Sequence, residues 1–339
     1  MFALTRALVD LDSTTGHEQP VVDYLFAQLS DLAARYNGRA EKLLAAPERE
    51  NLLACFGDPV VTLSTHTDTV PPYFSSREDA THIHGRGACD AKGIIAAMMA
   101  SAESLLASGT RNFALLFVVG EERDSAGARA AAAAPRDSRF LINGEPTENR
   151  LALGSKGALR YEIVAKGRLA HSAYPELGHS AIHSLLDALD DIRAIPLPSD
   201  EVLGQCTLNV GTIRGGRAPN VVADEAWAEI MFRLVGEPAL LRAAVARAAD
   251  LHHVEAREVF FCPAVRLTTI EGLPTTAVAF TTDIPTFNGT WGEPFLIGPG
   301  SIHAAHTAEE RVPKQQLTDA VGIYSHLVQQ LLTTGAASS

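Results

Sequence analysis

Apolar residues along the first 150 positions alternate between helical and strand-like spacing. The predicted segments, in chain order, are a helix at 18–34, a strand at 60–64, a helix at 92–106 and strands at 113–119 and 140–142. Thr15-Gly16-His17-Glu18 has the form of a capping box and predicts the start of the first helix. The last two strands are short and continuously apolar, as parallel strands buried on both faces are. This alternation predicts a doubly wound α/β layer with a mixed sheet.

The pattern changes at about Gly157, where strands begin to alternate between apolar and polar positions. A strand at 158–165, a helix at 181–192, two further strands, a helix at 238–251 and a strand at 254–261 follow in order. This β-α-β-β-α-β order is that of a ferredoxin-like α+β unit. A buried strand at 293–297 and an amphipathic helix at 317–332 then return to the first pattern. We therefore predict two domains, one at 1–156 and 263–339 and one inserted into it at 157–262.

Length, charge and cysteine content narrow the class of protein. A chain of 339 residues exceeds the roughly 250–300 residues at which single cores stop growing, which supports two domains. The net charge of −12 disfavours a nucleic-acid partner. Asp10 and Asp12 interrupt any signal-peptide core, and no apolar run approaches the roughly 18–20 residues that span a membrane. We expect a cytoplasmic protein with no membrane partner, whose four cysteines, lacking CxxC spacing, are reduced thiols.

Acids and histidines follow the predicted buried strands, where open α/β sheets bind their ligands. They are His66 and Asp68, Glu121 and Glu122, Glu145, and His303 and His306, with Asp90 just before the long helix. Each alone has an ordinary explanation as a surface or loop residue. Carboxylates that converge at neighbouring strand ends repel one another unless a cation lies between them. Histidine nitrogens and carboxylate oxygens suit zinc, and a bridging Asp would leave coordination positions open for water.

Five motifs in one order over almost the whole chain resemble a known family. They are STHTDTV at 64–70, GRGACDAKG at 85–93, GEERDSAG at 120–127, NGEPT at 143–147 and GPGSIHAAHTAEE at 298–310. The chain is thus similar to the acetylornithine deacetylase and succinyl-diaminopimelate desuccinylase family of dinuclear zinc hydrolases, which includes carboxypeptidase G and aminoacylases. The resemblance implies a zinc-peptidase-like catalytic domain with a ferredoxin-like lid and dimerisation domain.

The resemblance also implies a role for each strand-end residue. Asp90 would bridge two zinc ions, with His66 and Glu145 on one ion and Glu122 and His306 on the other. Cobalt or manganese could replace zinc.

Two further residues complete the expected catalytic set. Glu121 would be the general base that takes a proton from water and returns it to the leaving amine. Asp68 is placed to accept the far imidazole N–H of His66 and fix its tautomer.

Two histidines of one loop compete for the last ligand position. Spacing alone does not separate His303 from His306, and the register of GPGS, AH and a downstream Glu selects His306.

The inserted domain carries the remaining candidate residues. GRLAHSAYPELGHSA and APNVVADEAWAEIMFRL resemble the lid motifs of the family. The resemblance implies that His171 stabilises the oxyanion in the active site of a partner subunit, that Asn220 and Arg233 contact substrate, and that the protein is a homodimer. A structural ion pair is the alternative for Arg233. Gly120, standing where an acid is more usual, Arg123, Asp124 and Ala223 depart from the family pattern and weaken the transfer of substrate identity.

We expect an enzyme that hydrolyses the amide bond of a small N-acyl amino acid, with acetylornithine-like substrates nearest. Glu145 supports a deacylase or carboxypeptidase, because the aminopeptidase and dipeptidase branch usually carries Asp there. A dipeptidase or other exopeptidase with the same centre is the alternative. A non-catalytic binding protein on this fold is the alternative of another class, and the presence of Glu121 argues against it.

Overall fold

The computed structural model describes residues 1–336, and these form two compact units. The first unit contains Met1–Leu153, Leu267–Thr276 and the residues from Thr282 onward. The second contains Gly154–Arg266 and Ala277–Thr281. Residues 337–339 of the predicted catalytic domain lie outside the described part of the chain.

Eight α-helices lie within residues 1–336. They are α1 Phe2–Val9, α2 Gln19–Arg35, α3 Lys92–Ala107, α4 Ala126–Ala133, α5 Ala181–Arg193, α6 Ala239–Leu251, α7 Ile284–Phe287 and α8 Lys314–Ala336. A short 3₁₀ helix spans Pro175–Leu177. None of these helices is long and apolar enough to cross a membrane.

The strands of the same residues are mostly short. They are β1 Arg39–Ala46, β2 Arg49–Phe56, β3 Val61–His66, β4 Arg77–Glu78, β5 His82–His84, β6 Phe113–Val118, β7 Phe140–Asn143, β8 Leu151–Ser155, β9 Gly157–Lys166, β10 Ser199–Asp200, β11 Gly204–Gln205, β12 Thr207–Gly215, β13 Glu225–Leu234, β14 Val254–Cys262, β15 Val265–Arg266, β16 Thr275–Val278, β17 Glu293–Leu296 and β18 Arg311–Pro313.

The first unit is built on a six-stranded mixed sheet in the order β1-β2-β6-β3-β7-β17. Strands β6, β3, β7 and β17 run parallel, whereas the β1–β2 hairpin joins β6 antiparallel. Alternate residues of β6 face opposite sides: Leu115 packs into the core formed with α2, α3 and α8, and Leu116 packs with residues of α4 and α7. Helices therefore cover both faces, which confirms the predicted doubly wound layer.

Helix α3 begins immediately after the Asp90–Ala91 pair and is buried over most of its length. Such all-round apolar character is typical of a helix enclosed in a core. Its Ser101 hydroxyl hydrogen bonds with Ser325 of α8, at 2.9 Å. The helix predicted at 92–106 is confirmed, and its fixed position sets the place of Asp90.

The second unit contains an antiparallel sheet in the order β12-β13-β9-β14. Helices α5 and α6 contribute to its core together with alternate residues of β13, among them Ile230 and Phe232. This strand order, with two helices in a β-α-β-β-α-β chain order, confirms the predicted ferredoxin-like arrangement. The lid and dimerisation roles of this unit stay predictions.

The predicted capping box is wrong. Helix α2 begins at Gln19, and its N-cap residue Glu18 makes no side-chain capping bond. The Thr15 hydroxyl instead donates to Asp68, at 2.7 Å, and the Glu18 carboxylate pairs with Arg49. Both side chains therefore have partners distant in sequence, and Glu18 Oε2 also accepts the Gly16 N–H, at 2.9 Å.

Candidate metal centre

The parallel strands of the first unit end at the residues that carry the candidate chemistry. Strand β3 ends at His66, Glu121 and Glu122 follow β6, and Glu145 follows β7. His306 lies in the loop after β17, and Asp90 precedes α3. The carboxyl ends of parallel strands share one edge of the sheet, which explains why residues far apart in sequence meet there.

Asp90 lies between two histidines. Its Oδ1 is 2.9 Å from His66 Nε2, and its Oδ2 is 3.4 Å from His306 Nε2. His306 Nε2 is also 2.9 Å from Glu122 Oε1. Ligand atoms of His66, Asp90 and Glu122 all lie within 4.8 Å of one another. Each oxygen of Asp90 thus faces a different imidazole, as expected of a bridging carboxylate.

Two further carboxylates lie beside this group, the buried Glu145 and the partly buried Glu121. Burial first, and the charge of Asp90 next, raise the pKa of Glu145 well above its usual range. Glu145 Oε1 is buried and has no hydrogen-bond partner within residues 1–336. Burial and the charge of Glu145 likewise raise the pKa of Glu121. Carboxylates this crowded require protons or cations to balance them.

The structure separates the two histidines of the last loop. Hydrogen bonds to Asp90 and Glu122 raise the pKa of His306 to about 10. His306 adopts a φ of 61°, in the left-handed region, and its side chain is 47% exposed. His303 is exposed and makes no hydrogen bond or ion pair within the described residues. The geometry therefore brings His306 to the cluster and leaves His303 outside it.

Asp68 holds the turn that carries the two glutamates. Its carboxylate is fully buried and accepts hydrogen bonds from the main-chain N–H groups of Gly120, Glu121 and Glu122, at 3.0, 3.1 and 3.2 Å. Burial opposes its ionisation, but the interactions of the carboxylate with His66, the Thr15 hydroxyl and the Glu122 N–H together outweigh burial and lower the pKa of Asp68.

The contact of Asp68 with His66 differs from the predicted one. His66 Nδ1 lies 3.0 Å from the main-chain oxygen of Asp68, whereas the nearer carboxylate oxygen is 3.5 Å away. The main chain is therefore the closer partner of the imidazole, because the carboxylate is engaged by the turn.

Glu310 was not assigned a role from the sequence, although it ends the last motif. Its Oε1 accepts the N–H groups of Gly87, Cys89 and Asp90, and its Oε2 pairs with Arg86 at 2.5 Å. Both Glu310 and Arg86 are buried. Glu310 therefore fixes the segment that presents Asp90.

Asp283 is a second residue that sequence reasoning missed. It is buried in the first unit, and burial raises its pKa to about 6. The charge of Asp283 contributes to raising the pKa of both Glu121 and Glu145. It belongs to none of the five motifs, so no signal in this sequence singled it out.

The three lid candidates lie in the second unit. The chain segments that carry His171 and Asn220 run side by side. The Ser172 N–H donates to the main-chain oxygen of Asn220, and His171 forms an isolated antiparallel β-bridge with Val221. Arg233 lies on β13, where burial lowers its pKa. Arg233 forms no salt bridge within residues 1–336, so the structural ion pair considered for it is absent from the described part.

The donor set fits two divalent cations. Two imidazole nitrogens and a carboxylate with one oxygen toward each of them match nitrogen–oxygen coordination. Glu145 adds a buried oxygen that has no hydrogen-bond partner within residues 1–336. An α/β unit with such a cluster at its strand ends has the arrangement of a metal-dependent hydrolase.

Comparison with known proteins gives the same class. Residues 62–330 match the model of peptidase family M20/M25/M40. A peptidase M20 domain-containing protein of Schizosaccharomyces pombe is 35% identical, over 97% of this chain and 84% of that protein. A probable carboxypeptidase of Aspergillus niger is also 35% identical, over 96% of this chain and 88% of that protein. The chain therefore belongs to the M20/M25/M40 peptidase family.

Solved structures share the fold at low identity. A tripeptidase of Staphylococcus aureus has a TM-score of 0.79 at 21% identity, covering 97% of both chains. A dinuclear metal-binding M20 peptidase of Bacillus subtilis has a TM-score of 0.69 at 15% identity, covering 98% of this chain and 97% of that one. Family membership makes this chain a metal-dependent peptidase or related hydrolase.

Proposed function

We propose that this protein hydrolyses the amide bond of a small N-acyl amino acid with the aid of two metal ions. The observation that carries the proposal is Asp90, whose two oxygens face His66 and His306, with Glu122 beside His306 and Glu145 buried nearby. His66 and Glu145 would hold one ion, Glu122 and His306 the other, and Asp90 both.

When bound, the metal ions would supply positive charge to polarise the scissile carbonyl and to lower the pKa of water. Zinc is our first choice, with cobalt and manganese as alternatives. The protein's own contribution is to hold the ligands and to move one proton.

Glu121 is the proposed proton carrier. It is partly buried next to the proposed ligand Glu122, and burial first, then the charge of Glu145, raise its pKa. A carboxyl group with a raised pKa can accept a proton from the attacking water and then deliver it to the leaving amine. Asp68 supports this role by holding the main chain of Glu121 in place.

The second unit is proposed to contact substrate through His171, Asn220 and Arg233. An uncharged N–H donor or a cation directed at the developing oxyanion would lower the barrier. We also propose a cytoplasmic homodimer associated through this unit. Sedimentation equilibrium of the full chain tests the association, and a monomer at micromolar concentration would contradict it.

Exopeptidase activity is the second candidate, and the name of the Aspergillus niger relative, a probable carboxypeptidase, favours it. A carboxypeptidase and an N-acyl amino acid deacylase both cleave the amide bond to the amino group of a residue whose α-carboxylate is free. They differ in whether a peptide or a simple acyl group precedes that bond.

A substrate panel separates the candidates. The metal-loaded protein is offered N-acetyl amino acids, including acetylornithine, N-blocked dipeptides and free dipeptides, and the released amine is measured. We expect turnover of N-acyl amino acids. Turnover of free dipeptides alone would replace our proposal with a dipeptidase.

The variant Glu121→Gln distinguishes an enzyme from a binding protein. Gln cannot carry the proton, so we expect kcat to fall by about 10²–10⁴-fold with metal content unchanged. If the wild type turns over nothing in the panel, and the variant binds the same ligands equally well, the non-catalytic alternative is supported.

A further inference from the structure

Glu121 and Glu122 lie in a loop whose two ends are hydrogen-bonded to each other. The loop leaves β6 at Val119 and returns at Gly127, whose N–H donates to Val119 O at 2.8 Å. Between these points the N–H groups of residues 123–125 donate to Gly120 O in a tight turn, and α4 begins at Ala126. Short loops of this kind depend on outside contacts for their conformation.

Asn51 of β2 forms hydrogen bonds with both ends of this loop. It is fully buried, its Oδ1 accepts the Val119 N–H at 3.1 Å, and its Nδ2 donates to Gly127 O at 2.8 Å. A Cβ at Gly127 would collide with both Asn51 and the Val119 main chain, so this close approach requires glycine. One amide side chain thus ties both ends of the loop to the sheet.

Arg49, two residues earlier on β2, contacts the same loop beside the glutamates. Its guanidinium pairs with Glu18 at 2.5 Å and with Asp124 Oδ2 at 3.4 Å. A Cβ at Gly120 would lie 2.5 Å from Arg49 Nη2, and Gly120 has a φ of 82°. The guanidinium therefore occupies space that a side chain at position 120 would need. The Arg49 side chain is 12% exposed and that of Glu18 only 1%.

Residues two apart on a strand point to the same face, so Arg49 and Asn51 act from one side of the loop. Asp68 holds the same turn through three main-chain N–H groups. We propose that Arg49 and Asn51 are positioning residues that fix Glu121 and Glu122 for proton transfer and metal binding. The catalytic part of this inference rests on the proposed function.

The rate of proton transfer is sensitive to the position of the group that carries the proton. A displacement of about 1 Å in a catalytic group can lower the rate by about 10²-fold. Weakened positioning should therefore lower kcat by about 10–100-fold, with KM changed less than about threefold.

The test compares Arg49→Lys, the double variant Glu18→Gln/Arg49→Met and Asn51→Ala with the wild type. The double variant avoids leaving the buried Glu18 carboxylate without its counter-charge. Lys in Arg49→Lys keeps the positive charge but lacks the planar guanidinium group that can donate to two acceptors at once. Arg39→Met is the matched control, because Arg39 lies on the same hairpin in an exposed pair with Glu41. Far-UV circular dichroism and thermal unfolding establish that each variant is folded.

Two readouts are taken. Hydrogen exchange of the Gly120, Glu121 and Glu122 amides is measured on the metal-free protein, and kcat and KM are measured on the metal-loaded protein with the best substrate of the panel. We expect exchange of these amides to accelerate at least about tenfold in the Arg49 and Asn51 variants and to stay unchanged in Arg39→Met, with kcat falling as given above.

Unchanged exchange at these three amides in folded variants would overturn the inference, as would a loss of kcat equal to that of Arg39→Met. If the wild type has no activity, the proposed function fails, whereas the exchange data still decide whether Arg49 and Asn51 position the loop.

Discussion

Asp68 is one buried residue that contacts two parts of the site, through its main chain and through its side chain. Its main-chain oxygen contacts His66, while its carboxylate accepts three N–H groups from the turn bearing Glu121 and Glu122. The same carboxylate receives the Thr15 hydroxyl. Asp68 therefore contacts both His66, a proposed ligand of one metal ion, and the turn that carries the proposed base Glu121 and Glu122, a proposed ligand of the other ion.

Asp68→Asn is expected to lower kcat by roughly 10–100-fold, the usual effect of losing a supporting contact at a metal site. An amide has one acceptor oxygen, so its NH₂ group would face a main-chain N–H of the turn. Steady-state kinetics and metal content per chain check the result, with the exposed Asp187→Asn on α5 as control. Full activity in Asp68→Asn would show that the turn is held without the carboxylate.

The sequence predicted the residues of the cluster because each follows a recognisable apolar run or lies in a motif. His66, Glu122 and Glu145 follow strands that were evident from their apolar runs, and His306 was selected by register. Asp283 was missed, because its nearness to Glu121 and Glu145 is created by tertiary folding alone.

Among secondary-structure elements, the β1–β2 hairpin was not predicted. Ala, Glu and Lys, which are poor strand formers, occupy much of β1, and its residues are only half-buried at the edge of the sheet. The parallel strands were easier to predict, since burial on both faces leaves an uninterrupted apolar run. The missed hairpin is the element that supplies Arg49 and Asn51.

The segment before Asp90 depends on a buried ion pair. In Glu310→Gln the side chain can still accept N–H groups, but Arg86 loses its counter-charge in a buried setting. We expect the free energy of unfolding to fall by about 3 kcal/mol, as for other broken buried pairs. Urea unfolding measures it, with Glu255→Gln, from an exposed pair with Arg257, as a control that should change little. Equal stability of Glu310→Gln and wild type would contradict the assigned role.

The turn between β4 and β5 gives a pH-dependent prediction. Hydrogen bonding to His84, and to the N–H groups of Thr81 and His82, lowers the pKa of Asp79 below its ordinary 3.8. A carboxylate with a lowered pKa stabilises the folded state above its unfolded pKa, and this stabilisation is lost as the pH falls through the folded value. Asp79→Asn should therefore reduce stability near neutral pH and progressively less below about pH 4.

Unfolding of wild type and Asp79→Asn is compared from about pH 6 down to about pH 3, with Asp187→Asn as control. A stability difference that stays constant over this range would show that the pKa of Asp79 is not lowered by folding.

In the whole molecule, the proposed ligands span positions 66 to 306. The parallel order of β6, β3, β7 and β17 brings those that follow strands to one edge of the sheet, and the segment before α3 adds Asp90. The fold class and the ferredoxin-like strand order could be predicted because both follow from the order of helices and strands. The side-chain contacts that order the loops, such as those of Arg49 and Glu310, could not, since they join residues distant in sequence.

Anomalous X-ray diffraction at the zinc edge, on crystals grown with zinc, tests the central claim most directly. We predict two peaks on either side of Asp90, roughly 3.5–4 Å apart, one beside His66 and Glu145 and the other beside Glu122 and His306. A single peak, no peak at Asp90, or a zinc ion bound by His303 in place of His306 would contradict the account.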